Sequence, residues 1–225
     1  MKGWVIPPRK SAAFVWRMEE ILDLYEESYD KKRPVVCFDE RPCQLLAEVR
    51  DPLPVGPNRP ERRDHEYERG GMANVLMAFE PLAGWRRAEV TERRRGREFA
   101  ESVRYLAEEA YPEAEHIRLV LDNLSTHTAA AFYETFPPEQ ARCLARRVEF
   151  RYTPVHGSWL NMVEIELSVL VRQCLGRRLP DIETLRREVD AWQEERNRLG
   201  MSVAWRFTAA DARTKLRKLY PSIEP

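Results

Sequence analysis

The sequence predicts a mixed α/β fold, a sheet covered by helices. Three observations carry this expectation. Strand-length apolar runs lead towards acids three times: Val35–Phe38 into Asp39-Glu40, Ile117–Leu121 into Asp122, and Val148–Tyr152 through a loop to Glu164. Residues 73–79 and 85–91 are two apolar stretches separated by Pro81–Gly84, the pattern of a hairpin. Beyond residue 97, helical periodicity alternates with strand-like runs. Strands first and alternating elements later make a mixed sheet flanked by helices.

Taken in order, residues 1–34 read as a linker and helical segment. Trp4-Val5-Ile6-Pro7-Pro8 is an extended entry, and Ser11 caps a helix with Phe14, Met18, Ile21, Leu22 and Tyr25 at helical spacing. Residues 35–178 form the core, opened by Val35–Phe38. Residues 41–73 hold five prolines and read as irregular, with Gln44–Val49 either a brief strand or a helical turn. After the hairpin a helix is expected over Arg97–Tyr111, ended by Pro112. Ile117–Leu121 is the fourth strand. Helices follow over Thr128–Phe136 and Glu139–Arg146, then the fifth strand, Val148–Tyr152, and a helix over Asn161–Leu175. Residues 179–225 are a helical extension: Asp181 caps a helix bearing Leu185, Val189 and Trp192, and Thr208 caps the last one with Asp211 three positions on.

Bulk composition narrows the function less than the pattern does. Lys+Arg and Asp+Glu each total 37, so the net charge points to no polyanion. Cys37, Cys43, Cys143 and Cys174 form no CxxC pair, and zinc-ligand spacing is absent. No apolar run approaches the ~18–20 residues of a membrane span, and no secretory h-region opens the chain. The expectation is a soluble protein of a bacterial, reducing cytoplasm, with no membrane partner.

The chemistry lies in the acids. Three carboxylates converging in a cleft repel one another and stay ionised only beside a countercharge, for which a divalent cation is the natural choice. All-oxygen ligands favour Mg²⁺ or Mn²⁺. Two such ions about 4 Å apart suit in-line displacement at phosphorus. Taken singly, each acid has an ordinary alternative as a turn former, cap or dipole partner; the order of the three on consistent elements raises the metal reading.

Phe38-Asp39-Glu40, then Asp122-Asn123-Leu124-Ser125-Thr126-His127, then Trp159-Leu160-Asn161-Met162-Val163-Glu164 resembles the DDE transposases of the mariner-like superfamily, and within it the insertion sequence 630 type. The resemblance implies a ribonuclease-H-like, five-stranded mixed sheet. It implies Asp39, Asp122 and Glu164 as catalytic metal ligands for two Mg²⁺ or Mn²⁺ ions. The implied activity is cleavage of a DNA strand by water, then transfer of the freed 3′-hydroxyl, usually into a TA target. The implied partners are double-stranded DNA (terminal inverted repeats and target) and a second copy in a homodimer. Relatives carry a helix-turn-helix region ahead of the catalytic domain that this chain lacks, so a separate reading frame is expected to supply it. The alternatives are a non-catalytic fragment acting on a full transposase, or a structure-selective nuclease.

Two departures test the resemblance. Asp122 and Glu164 stand 42 positions apart, longer than is usual in the family, and residues 137–147 could be the inserted helix. Glu166 rivals Glu164, but helix positions two apart point to nearly opposite sides, and Asn161 three positions earlier favours Glu164.

Asn123, His127, His156 and Asn161 are the expected supporting or substrate-contacting residues; a structural hydrogen bond is the alternative for His127, and loop solvation for His156. Glu40 is expected to face away from Asp39, either supporting the site from behind or meeting solvent. Arg86, Arg87, Arg93, Arg94, Arg95 and Arg97 form the strongest basic clump and are read as contacts to the DNA backbone, because the guanidinium fork pairs with phosphate. Arg59, Arg62, Arg63 and Arg69 form a second clump. Interleaved acids leave a mixed-charge surface as the alternative.

Overall fold

The structure is a computed structural model and describes residues 11–50, 53, 56, 59, 60, 62 and 64–222. The expectations for Trp4–Pro8 and Arg63 lie outside the described residues. Five strands form one sheet in the order β3-β2-β1-β4-β5. They are β1 (Val35–Glu48), β2 (Tyr67–Glu80), β3 (Trp85–Thr91), β4 (Ile117–Leu121) and β5 (Val148–Tyr152). β1, β2 and β3 pair antiparallel, whereas β1–β4 and β4–β5 are parallel. β1 is therefore the central strand and the seam between the two halves.

The helices are α1 (Ala12–Glu26), α2 (Gly96–Tyr105), α3 (Ala130–Thr135), α4 (Pro138–Arg147), α5 (Val163–Gln173), α6 (Ile182–Arg198) and α7 (Ala209–Lys215). The predicted helix over 97–111 is α2 followed by a π-helical turn, Leu106–Ala110. Asp181 and Thr208 cap α6 and α7 through their side chains, Thr208 in a reciprocal box with Asp211. Among the described residues no helix is long and apolar enough to cross a membrane.

Strand alternation sorts the core into two layers. Val36, Phe38, Leu119 and Leu121 pack against Phe99 and Val103 of α2, Phe132 of α3 and Leu144 of α4. Cys37, Met77, Phe79 and Val120 face the other way, onto α1, α5, α6 and α7. Burying each large apolar side chain stabilises by about 1.5–3 kcal/mol. Phe14, Met18 and Ile21 of α1 and Leu185, Val189 and Trp192 of α6 belong to this second layer, so residues 12–26 and 182–198 share one core with the sheet.

The expected irregularity of residues 41–73 is corrected at its two ends, over 41–48 and 67–73. β1 runs on for 14 residues and pairs with β2 down to Glu48↔Tyr67, slipping register only between Leu45 and Leu46. Pro42 sits within the strand opposite Asn74. It is tolerated because the parallel ladder to β4 ends at Cys37↔Val120, so beyond that point β1 has a strand on one side only. At the β2–β3 turn Gly84 has φ +65°, and a Cβ there would lie 2.6 Å from the Gly200 carbonyl oxygen. Glycine suits both the left-handed backbone and the close approach.

Candidate active site

Where β1 leaves β4, the two strands part and open a cleft. The parallel register runs Val35↔Arg118, Val36↔Leu119, Cys37↔Val120; carried two residues further it sets Asp39 beside Asp122. Asp39 shares the side of β1 that α5 covers. The start of α5 is clamped to that point: Asn161, 1% exposed, donates from Nδ2 to the Phe38 carbonyl at 2.9 Å. Glu164, in the first turn of α5, is exposed there.

The electrostatics tie these acids together. Burial pushes the Asp39 carboxyl up to about 7, aided by the negative charges of Glu164, Asp122 and Glu40 and opposed by the Glu40 amide, which donates to Oδ1 at 2.8 Å. Burial raises Glu164 as well, with Arg41 opposing and Asp122 adding. Asp122 behaves differently. Its burial opposes ionisation, but the hydrogen bond and charge of His127, the Leu124 amide and Arg94 outweigh that and lower it. Among the described residues no set of three or more His, Cys, Asp or Glu side chains stands close enough to hold a metal ion. The three acids share one cleft and sense one another without being drawn to ligand spacing, as expected of facing carboxylates that repel. Their donor set, all carboxylate oxygen and short of positive charge at Asp39, fits a hard divalent cation.

Glu166 goes elsewhere. It is fully buried, with Arg86 Nε 3.0 Å from Oε1 and Arg196 donating to both carboxylate oxygens. This corrects the reading of Arg86. Its side chain is buried, also donating to the Asn197 Oδ1 at 3.2 Å and the Met201 carbonyl at 2.5 Å, so no phosphate can reach it. Arg87 lies over the Tyr105 ring at 3.4 Å and pairs with Glu89 at 3.1 Å. Arg93, Arg94, Arg95 and Arg97 remain exposed at the β3–α2 junction.

The supporting residues divide. His127 is fully buried, its Nδ1 2.7 Å from Asp122 Oδ1 and its Nε2 3.4 Å from Glu40 Oε2. Burial disfavours its charge, but the two carboxylates win and raise it to about 9. Asn123 donates to the Thr153 carbonyl at 2.6 Å, tying the end of β4 to the end of β5. Asn161 is occupied as the α5 clamp, not open to substrate. His156 is exposed in a left-handed conformation, φ 65°. Of the two places expected for Glu40, the structure gives the one behind the site rather than solvent: two residues after Phe38, it shares that face, where His127 packs edge-on to the Phe38 ring at 5.6 Å. Arg41, exposed and close enough to influence Glu164, was also missed.

Residues 34–186 match the family model of the DDE superfamily endonucleases. The fold is similar to the Mos1 mariner paired end complex with Mn, at 16% identity and a TM-score of 0.56 over 89% of this chain and 62% of that one. It is also similar to a pre-cleavage Mos1 transpososome, at 15% identity and 0.59 over 100% and 67% of the two chains. A Mos1 strand transfer complex matches at 15% identity and 0.58. The chain thus spans 62–67% of the length of these proteins. No curated protein sequence matches it. The sheet order and flanking helices are those of the ribonuclease-H-like fold, and the chain belongs to the DDE superfamily endonucleases.

Proposed function

We propose that this chain is the catalytic domain of a mariner-like DDE transposase, which hydrolyses a DNA strand at the end of a mobile element and joins the freed 3′-hydroxyl to target DNA. The single observation that carries the reading is the cleft itself. Asp39, within β1, and Asp122, just past the end of β4, stand side by side, and Asn161 pins the helix bearing Glu164 against the same point.

In this reading Asp39, Asp122 and Glu164 hold divalent cations, Mg²⁺ or Mn²⁺ and two in number. Bound there, the cations supply a lowered pKa for the attacking hydroxyl and charge stabilisation at the leaving oxygen. The protein contributes placement. His127 keeps Asp122 ionised and oriented through Oδ1, which also accepts the Leu124 amide at 3.2 Å. Arg94 lies near enough to act on Asp122 and Arg41 near enough to act on Glu164, so the DNA backbone runs across the cleft between them, with the exposed neighbours Arg93, Arg95 and Arg97 as further phosphate contacts and with terminal repeats and a TA target as its two substrates. A homodimer, and a helix-turn-helix partner from another reading frame, would provide recognition of the repeats.

The test is Mg²⁺-dependent nicking of duplexes carrying the inverted repeats that flank the gene, with products resolved for strand transfer. Nicking and joining, both lost in Asp122→Asn, are the expected result. Cleavage without joining would favour a nuclease. No cleavage of any duplex, with tight association to a helix-turn-helix partner, would sink the enzymatic reading.

A further inference from the structure

Glu40 is a carboxylate that the chemistry above leaves without a task. It lies on the side of β1 that α2 and α3 cover, opposite Asp39, and its side chain is only 4% exposed. Its Oε2 faces His127 Nε2 at 3.4 Å, a charge contact, and among the described residues neither atom has a formed hydrogen bond. Across the same ring, Nδ1 meets Asp122 Oδ1 at 2.7 Å. The rest of His127 is fixed: its amide donates to the Leu124 carbonyl at 3.0 Å, and its carbonyl accepts from the Tyr152 hydroxyl at 2.7 Å. Phe38 and Phe99 flank the ring at centroid distances of 5.6 Å and 4.8 Å.

A buried carboxylate is a poor way to fill an apolar pocket; a hydrophobic side chain of similar volume usually serves stability as well or better. What it does well is fix direction. With the backbone of His127 pinned and its faces packed, the remaining freedom is rotation of the ring, and a group at Nε2 removes it. We infer that Glu40 is a positioning residue: by engaging Nε2 it sets the His127 ring so that Nδ1 holds Asp122 Oδ1, leaving the other Asp122 oxygen turned to the cleft. The inference rests on reading Asp122 as a metal ligand. It gives β1 a double role, since Asp39 supplies the cleft directly while its neighbour Glu40 acts on the cleft from the opposite face of the sheet. Partners of this kind set the orientation of ligands, and losing one typically weakens metal binding by about 10–100-fold.

The test is Mn²⁺ binding to the full chain, followed by electron paramagnetic resonance, alongside thermal melting and the Mg²⁺ concentration that half-saturates nicking. Asp122→Asn is expected to abolish Mn²⁺ binding. Glu40→Ala is expected to raise the Mn²⁺ dissociation constant and the Mg²⁺ half-saturation point about 10–100-fold, with most of the maximal rate regained at saturating metal. Glu40→Gln, whose amide oxygen still accepts from Nε2, should recover part of the shift. Should Glu40→Ala not fold, Glu40→Leu suits the pocket beside Phe38 and Phe99 and carries the same expectation. Unchanged Mn²⁺ affinity in a folded Glu40 variant, with binding lost in Asp122→Asn, would overturn the inference and leave the ligand reading intact. Mn²⁺ binding that survives Asp122→Asn would overturn both.

Discussion

Two neighbourhoods of this molecule use the same kind of residue for opposite ends. In the cleft, Asp39 and Glu164 face each other and Asp122 with little positive charge at hand, and burial holds both carboxyls above their ordinary range. Behind the cleft, Glu40 meets His127 and Glu166 meets Arg86 and Arg196, each acid matched to a cation. The two kinds stand one and two positions apart in the sequence. Matched acids hold the frame, whereas unmatched acids, on the function proposed above, keep a place for a cation that the frame does not supply.

The contrast breaks most visibly in activity. Asp122→Asn or Glu164→Gln should reduce nicking by on the order of 10³-fold, as loss of a group acting in the chemical step does. Glu164 is exposed and, among the described residues, makes no ion pair, so its replacement should leave the urea midpoint nearly unchanged, within about 0.5 kcal/mol. Two positions on, Glu166→Ala strands two arginines in the interior and should cost about 3–5 kcal/mol in the same urea measurement. If Glu164 and Glu166 variants proved alike in stability, the division between frame and cleft would fail.

Proton linkage sharpens it further. Asp39 is raised to about 7 from 3.8, so the unfolded chain releases this proton before the folded one does. Stability is therefore fully present below pH ~4 and falls as pH rises towards about 7. His127, raised to about 9 from 6.5, contributes stability that is present below 6.5 and lost as pH climbs through 9. Asp39→Asn should flatten the lower of these two windows in a series of melting curves. Cation binding competes with the proton on Asp39, so Mg²⁺ should raise the melting temperature more at pH 8 than at pH 6, and chelation should remove the difference. An equal Mg²⁺ effect at both pH values would contradict the assignment of Asp39.

The smallest effects belong to the exposed arginines. Arg94→Ala and Arg97→Ala should each weaken DNA binding a few-fold regardless of sequence and reduce the slope of affinity against salt by about 1. Arg86→Ala should lose stability instead and leave the salt slope unaltered in the folded fraction, since its guanidinium is interior.

Much was legible in the chain alone because it depends on local pattern. Apolar runs ending in acids gave the strands that carry Asp39 and Asp122, Asp181 and Thr208 declared their helices, and the blocks around Asp122 and Glu164 pointed to the family. Helix geometry already sent Glu164 and Glu166 to different sides, but the arginines that bury Glu166 come from β3 and α6, 80 and 30 positions away. Those long-range partners are what a linear reading lacks. Charge clustering placed Arg86 among DNA contacts, and it fails there because period-two burial along β3 (alternately intermediate and buried) sends it inward, while its neighbours past residue 91 leave the sheet. Prolines made residues 41–48 look irregular because the sequence does not say that β4 stops at the cleft and frees one edge of β1.

The sequence by itself thus determined which residues could do chemistry and on what kind of element each would sit, since hydrophobic period and capping are written within a few residues. Only the tertiary structure decided which acids are matched and which are left open. That depends on the Asp39-Glu40 stretch of β1, the end of β4, the start of α5 and the arginines of β3 and α6 arriving together, and a buried charge is settled by its neighbours in space.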